Sequence, residues 1–170
     1  MSLFVFVWLC LSAYALWLVI GYSMSIVFRP TGTTLLSVNA TFKHTASNSE
    51  HTNVGVEKLE SWLGTEKWKV ITFNFGLHDL KIMENGEHQV GLAQYEKNLD
   101  EIAERLEKTG ARLFYVTTTQ VPEGKVNPLR KPGDDVLYNA VARRVRKAHQ
   151  IPVVDLYGFA KPRLAEIQTP

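Results

Sequence analysis

Two stretches of this 170-residue chain end an apolar run in a glycine and follow it at once with groups that can do chemistry. Residues 68–80 read W-K-V-I-T-F-N-F-G-L-H-D-L, a buried-strand pattern that stops at Gly76 and then offers His78 and Asp79. Residues 16–20, L-W-L-V-I, stop at Gly21-Tyr22-Ser23-Met24-Ser25 and offer a serine hydroxyl. A rigid strand can hold a reactive group at the carboxyl edge of a sheet, where α/β proteins concentrate their sites. A serine at one strand end and Gly-x-His-Asp at another point to a hydrolase more than to a binding module. A serine hydroxyl is a weak nucleophile until a positioned base takes its proton. His44 and His51 lie in a polar stretch from which either can approach Ser23, whereas His88 and His149 read as solvent-facing.

Each of these residues also has a plainer reading. Ser23 alone is more often a helix N-cap than a nucleophile. Asp79 can cap the segment after its strand, Asn74 can bond a neighbouring loop from a strand edge, and Tyr138-Asn139 can pack at a helix start. No two histidines have the i,i+4 spacing of a helical metal site, and Cys10 is the only cysteine. No metal and no disulfide within the chain are therefore expected.

The elements that must position these groups alternate in type. Strands are expected at residues 14–20, 38–42, 70–75, 112–118 and 151–156. Residues 54–63 read as a helix, with Val56, Leu59 and Leu63 on one face and Gly64 ending it. Residues 95–108 form the clearest helical pattern, with Tyr95, Leu99, Ile102, Ala103 and Leu106 at helical spacing and Glu101–Arg105 as an i,i+4 pair. Asp134 is a candidate N-cap for a helix running to about His149, and residues 157–167 begin another helix or loop. Residues 44–53 and 81–91 are polar loops. Arg29-Pro30 and Thr31-Gly32-Thr33 interrupt any long helix, although residues 34–38 can continue one. Strands alternating with helices of this length imply a mostly parallel sheet covered on both faces.

With 45% hydrophobic residues the chain can bury a core as one domain. A net charge of +2 gives no reason to expect nucleic acid as a partner, and Arg143, Arg144, Arg146 and Lys147 read as the solvated face of a late helix. The first 28 residues carry no charged side chain, and residues 3–22 are long and apolar enough for a membrane span. A secretory signal fits less well, because no Lys or Arg precedes the apolar run. The preferred reading splits the segment: residues 1–13 form a signal-like or anchoring piece, and residues 14–170 the domain, with the first core strand at 14–20. A secreted or membrane-associated location follows, with the N-terminal segment as the route to a membrane. Asn39-Ala40-Thr41 is a glycosylation sequon.

From about residue 18 to 170 the chain resembles the SGNH, or GDSL-type, esterases and lipases. Gly21-Tyr22-Ser23 looks like the family's Gly-Asp-Ser block, residues 48–55 sit where the glycine-bearing second block belongs, and Gly76-Leu77-His78-Asp79 looks like Gly-x-Asn-Asp with His78 replacing Asn. The resemblance implies a three-layer α/β/α, flavodoxin-like fold and serine-dependent hydrolysis of a carboxylic ester without cofactor, and the polar loops at 41–53, 81–91 and 120–133, which lack a long apolar stripe, favour a small acyl group such as acetyl over a lipid chain. It makes Ser23 the nucleophile. The oxyanion hole would draw on the N–H groups of Ser23 and Gly55 and on the His78 side chain, each such donor being worth roughly 3 kcal/mol in the transition state. Asp79 is carried over as the last residue of the third block. Two departures stand out. Tyr22 replaces the acidic residue before the nucleophile, and the family's Asp-x-x-His block, which supplies the base, has no counterpart before Pro170. The domain is therefore expected to be C-terminally incomplete and weakly active at best. An inactive binding protein on the same fold, or a membrane-anchored protein spanning the bilayer with residues 3–22, are the alternatives.

Overall fold

A computed structural model of the chain describes residues 15–21, 40–45, 49–124 and 126–163. Ser23, its neighbour Tyr22, the apolar segment 1–13 and the expected helical stretch 34–38 lie outside the described residues. The described elements are β1 (Ala15–Ile20), β2 (Ala40–His44), α1 (Thr52–Leu63), β3 (Val70–Phe73), α2 (Leu92–Glu107), β4 (Arg112–Val116), α3 (Asp134–Ala148), β5 (Val153–Val154) and α4 (Leu156–Ala160). A 3-10 turn at Lys161–Arg163 follows.

The strands form one sheet in the order β2-β1-β3-β4-β5, and every pairing is parallel. Parallel neighbours cannot be joined by a tight turn, so the chain crosses back through α2 between β3 and β4 and through α3 between β4 and β5. Val70 and Ile71 are consecutive and both buried, and consecutive strand residues point to opposite faces. Both faces of β3 are therefore covered, which explains its unbroken apolar run. This is the α/β architecture the alternating pattern implies.

Helix α2 lies between α1 and α3. It buries the stripe Tyr95, Leu99, Ile102, Ala103 and Leu106 against the sheet and its neighbours. Arg105 binds Glu101 one turn away at 3.2 Å, pairs with Glu60 of α1, and donates to Val56 O at 2.6 Å. On the other side Arg144 of α3 grips Glu96 with two hydrogen bonds of 2.9 and 3.1 Å.

Several sequence expectations shift once tertiary partners are present. The strand expected at 38–42 is Ala40–His44, set by parallel register with β1 from Ala15–Ala40 to Val19–His44. The last strand shrinks to two residues. Pro152 has no N–H for a ladder, and Asp155 turns the chain into α4 by accepting from Gly158 N at 3.0 Å. Gly133, with φ of 94°, occupies the cap of α3, and Asp134 is its first helical residue. His88 does not face solvent: its Nε2 lies 2.7 Å from the Asp134 carboxylate and its ring packs edge-on against Tyr138. His149 is not a free surface residue either. Nε2 contacts Asp100 at 2.9 Å and Nδ1 contacts Glu107 at 3.2 Å, so it clamps the end of α3 onto α2. Among the described residues no helix is long and apolar enough to cross a membrane.

Candidate functional site

In a sheet ordered 2-1-3-4-5 the chain reverses its direction of winding between β1 and β3, and the crevice beyond their carboxyl ends is where such folds bind ligands. Here the two ends are held together. Asn74 N donates to Ile20 O at 2.9 Å, and the Asn74 amide donates to Val116 O at the end of β4 at 2.8 Å. Gly21 N, two residues before Ser23, donates to the buried Ser49 hydroxyl at 3.0 Å, and Ser49 in turn meets Thr45 Oγ1 at 3.0 Å. His44 brings its Nε2 within 3.2 Å of Gly21 O and its Nδ1 within 2.7 Å of Thr45 O.

The Gly76–Asp79 turn closes the other side of the crevice. Gly76 has φ of 142°, a conformation side chains rarely tolerate. A Cβ there would stand 3.2 Å from that of Thr118, so the turn lies directly on the end of β4. Leu80 N returns to Gly76 O at 2.9 Å and Val90 N to Asp79 O at 3.0 Å. From beneath, the buried hydroxyls of Tyr95 and Tyr115 both donate to Phe75 O at 3.0 Å. The backbone that presents His78 is thus fixed on three sides.

Asp79 is fully buried and points away from solvent. Its Oδ1 accepts from Thr52 N at 2.8 Å and from Thr52 Oγ1 at 2.6 Å. Thr52 opens α1, and the cap residue His51 makes no side-chain capping bond. Asp79 therefore caps α1 from a distant segment, satisfying a helix-end N–H that would otherwise be unpaired. Burial pushes its carboxyl up to about 7, against the lowering effect of the two Thr52 donors. Asn98 extends the network by donating to Thr52 Oγ1 at 3.1 Å and Asn53 Oδ1 at 2.6 Å. Sequence reasoning missed this link. One signal was present: Asn98 sits three residues after Tyr95, on the apolar stripe of α2, where a polar residue needs a buried partner.

His78 is buried within the turn, and the imidazole is pulled down to about 4, first by burial and then by Lys81, Arg130 and His51. It is neutral at pH 7, so its ring carries one N–H. His51 is lowered in the same direction, chiefly by burial with a smaller push from Lys81, while nearby Glu50 opposes. The Nδ1 of His51 is buried and has no hydrogen-bond partner among the described residues. Two neutral imidazoles thus lie near enough for His51 to lower His78.

Gly55 departs from its expected role. Its N–H donates to His51 O at 3.1 Å within α1. A Cβ at this position would approach Ile102 and Phe75 to 2.8 Å. Gly55 is a packing glycine that lets α1 sit close to α2 and the β3 end, and its N–H is not available as an oxyanion donor. The structure gives the adjacent His78 and Asp79 different surroundings: Asp79 bonds Thr52 in the core, and the buried His78 is felt by Lys81, Arg130 and His51. Ser23 lies outside the described residues, and Gly21 marks how near the chain has come to the crevice before it. Among the described residues no cluster of His, Cys, Asp and Glu suits a metal ion.

No protein-family model matches the sequence, and no curated protein matches it. Solved structures do match in three dimensions. Axe2, an acetylxylan esterase from Geobacillus stearothermophilus, superposes with a TM-score of 0.73 at 13% identity, over 92% of this chain and 82% of that one. A lipase/acylhydrolase from Enterococcus faecalis gives 0.74 at 17% identity, over 87% and 79% of the two chains. A protein described as a GDSL-like lipase from Parabacteroides merdae gives 0.74 at 11% identity, over 92% and 84%. At such identities the likeness is one of fold alone, the mostly parallel α/β sheet that the chain shares with these proteins.

Proposed function

We propose that the chain is a serine ester hydrolase of the SGNH type, with Ser23 as nucleophile and a small acyl group, such as acetyl, as its substrate class. The observation that carries this reading is the rigid Gly76-Leu77-His78-Asp79 turn beside the end of β1, in a 2-1-3-4-5 sheet whose fold neighbours are esterases and acylhydrolases. In this reading Ser23 Oγ attacks the ester carbonyl and the neutral His78 ring donates a hydrogen bond to the oxyanion. Such a donor stabilises charge that exists only in the tetrahedral state. Of the two imidazoles that the sequence offers as a base, His51 is favoured, because its Nδ1 has no hydrogen-bond partner among the described residues while both ring nitrogens of His44 face carbonyl oxygens. His51 suits proton abstraction at neutral pH because its lowered affinity for protons keeps it neutral. The apolar N-terminal segment remains the proposed route to a membrane or a secreted location.

A second reading is a binding protein on the same fold. Tyr22 in place of an acidic residue favours it. A fluorophosphonate probe separates the two. The hydrolase reading predicts covalent labelling that Ser23→Ala removes, together with loss of 4-nitrophenyl acetate hydrolysis to the buffer rate. A wild-type chain that is folded by circular dichroism yet neither labels nor hydrolyses the ester would leave the binding reading.

A further inference from the structure

Helix α3 sends two buried polar side chains toward the turn that carries His78, and the chemistry proposed above uses neither. Tyr138 and Asn139 are consecutive and both fully buried. A polar group without water needs a partner, and both find theirs outside α3. Asn139 Oδ1 accepts from Thr118 N at 3.0 Å, and Asn139 Nδ2 donates to Thr118 O at 2.9 Å. β4 ends at Val116, so Thr118 lies past the strand. A side-chain amide offers a donor and an acceptor, as a peptide group does. Asn139 therefore stands in for a neighbouring strand and holds Thr118 in place. Thr118 is in turn the floor under Gly76: its Cβ and Cγ2 lie 3.2 and 3.3 Å from where a Gly76 Cβ would stand. Tyr138 works at the other end of the turn. Its hydroxyl donates to Val90 O, and Val90 N donates to Asp79 O at 3.0 Å. Its ring also packs 4.9 Å from that of Tyr95, whose hydroxyl donates to Phe75 O at 3.0 Å. Two adjacent residues of one helix thus support both ends of the Gly76–Asp79 segment. Both bonds run to backbone beyond the strands, and neither ties the sheet itself together.

We propose that Tyr138 and Asn139 are positioning residues: through Val90 and Thr118 they hold the Gly76–Asp79 turn so that the His78 ring stays where the oxyanion develops. The inference rests on the ester-hydrolase reading and adds to it the groups that set its donor. A preorganised donor loses effect steeply when displaced, and a misplacement of about 1 Å can cost about a hundredfold in rate. Both residues are buried away from solvent, so neither touches the substrate. Loosening them acts on the transition state and leaves ground-state binding in place.

The test uses the full chain. Tyr138→Phe removes only the hydroxyl, and Asn139→Ala removes both bonds to Thr118. In each variant kcat for 4-nitrophenyl acetate, counted per fluorophosphonate-labelled site, should fall about tenfold while KM stays within about twofold. A second readout does not depend on turnover. Proton–carbon NMR of the histidine rings follows the His78 titration, which burial, Lys81, Arg130 and His51 hold down to about 4. Neither substitution alters those groups. A loosened turn that admits water should let the His78 midpoint rise by about half a unit toward its ordinary value, while His149 at the far end of α3 keeps its own. Tyr138→Phe, the smaller change, carries the test where Asn139→Ala does not fold. With an active wild type, an unmoved His78 midpoint in the folded variants, or a kcat per site that stays at the wild-type value, overturns this role and leaves the hydrolase reading standing. A wild type that neither labels nor hydrolyses sinks the hydrolase reading and this role with it.

Discussion

At the residue scale, Asp79 shows how a carboxylate can look catalytic and serve structure. It follows a glycine turn at a strand end, yet both donors that reach it belong to Thr52. Removing it in Asp79→Ala should strand two buried donors and destabilise the chain by about 2–4 kcal/mol in urea unfolding. Asp79→Asn keeps the acceptor and should stay within about 1 kcal/mol of the wild type near pH 4, where the carboxyl is protonated in the fold. The pH dependence gives a sharper check. Asp79 titrates near 3.8 when unfolded and about 7 when folded. The folded state therefore binds the extra proton, so the contribution of Asp79 is present below the unfolded value and is lost as pH rises toward 7. Asp79→Asn removes that loss, so the variant should gain on the wild type steadily from pH 4 to 7. A difference between the two that stays constant across this range would show that the carboxyl is already ionised in the fold.

At the element scale, the helices and central strands follow from local pattern, while the polar links between them do not. The α2 stripe is visible because a 3.6-residue period repeats through it, and β3 is visible because residues facing both layers are apolar. His88 and His149 were misjudged because their partners, Asp134 and Asp100, lie 46 and 49 residues away, and one sequence gives no measure of that proximity. Gly55 was misassigned for a related reason: a glycine needed for close packing and one needed for a free N–H look alike until Phe75 and Ile102 are placed beside it. The clamp at His149 has its own consequence. Burial alone lowers the imidazole, but hydrogen bonds to Asp100 and Glu107 outweigh it, and the net shift is upward. Stability from the clamp is thus full below the unfolded value of 6.5 and is lost as pH rises through the higher folded value. Melting temperatures between pH 5.5 and 8.5 should fall for the wild type by more than for His149→Gln. Parallel curves would show that the contact carries no linkage.

At the scale of the whole molecule, the sheet is strongest in the middle and thin at one side. β1 and β3 pair on both flanks and are buried, whereas β5 contributes two residues, with Val154 exposed. Amide hydrogen exchange should therefore be slowest in β1, β3 and α2 and fastest around β5 and α4. Comparable protection at β5 and β3 would mean that the edge is covered by something beyond the described contacts. The site lies between the two most protected strands, so its carboxyl rim inherits their rigidity while its loops are free to differ.

Asp79 bonding Thr52 has a bearing on how such a protein can be altered. Ser49 is latched to Gly21 and Thr52 to Asp79, so the segment that carries His51 is pinned at both ends to the strands that flank the crevice. Extra residues inserted between Ser49 and Thr52 would have nowhere to go without prising the helix from its seat. The exposed tip at residues 83–87, which merely folds back on itself, is where the chain can lengthen and diversify without disturbing the crevice.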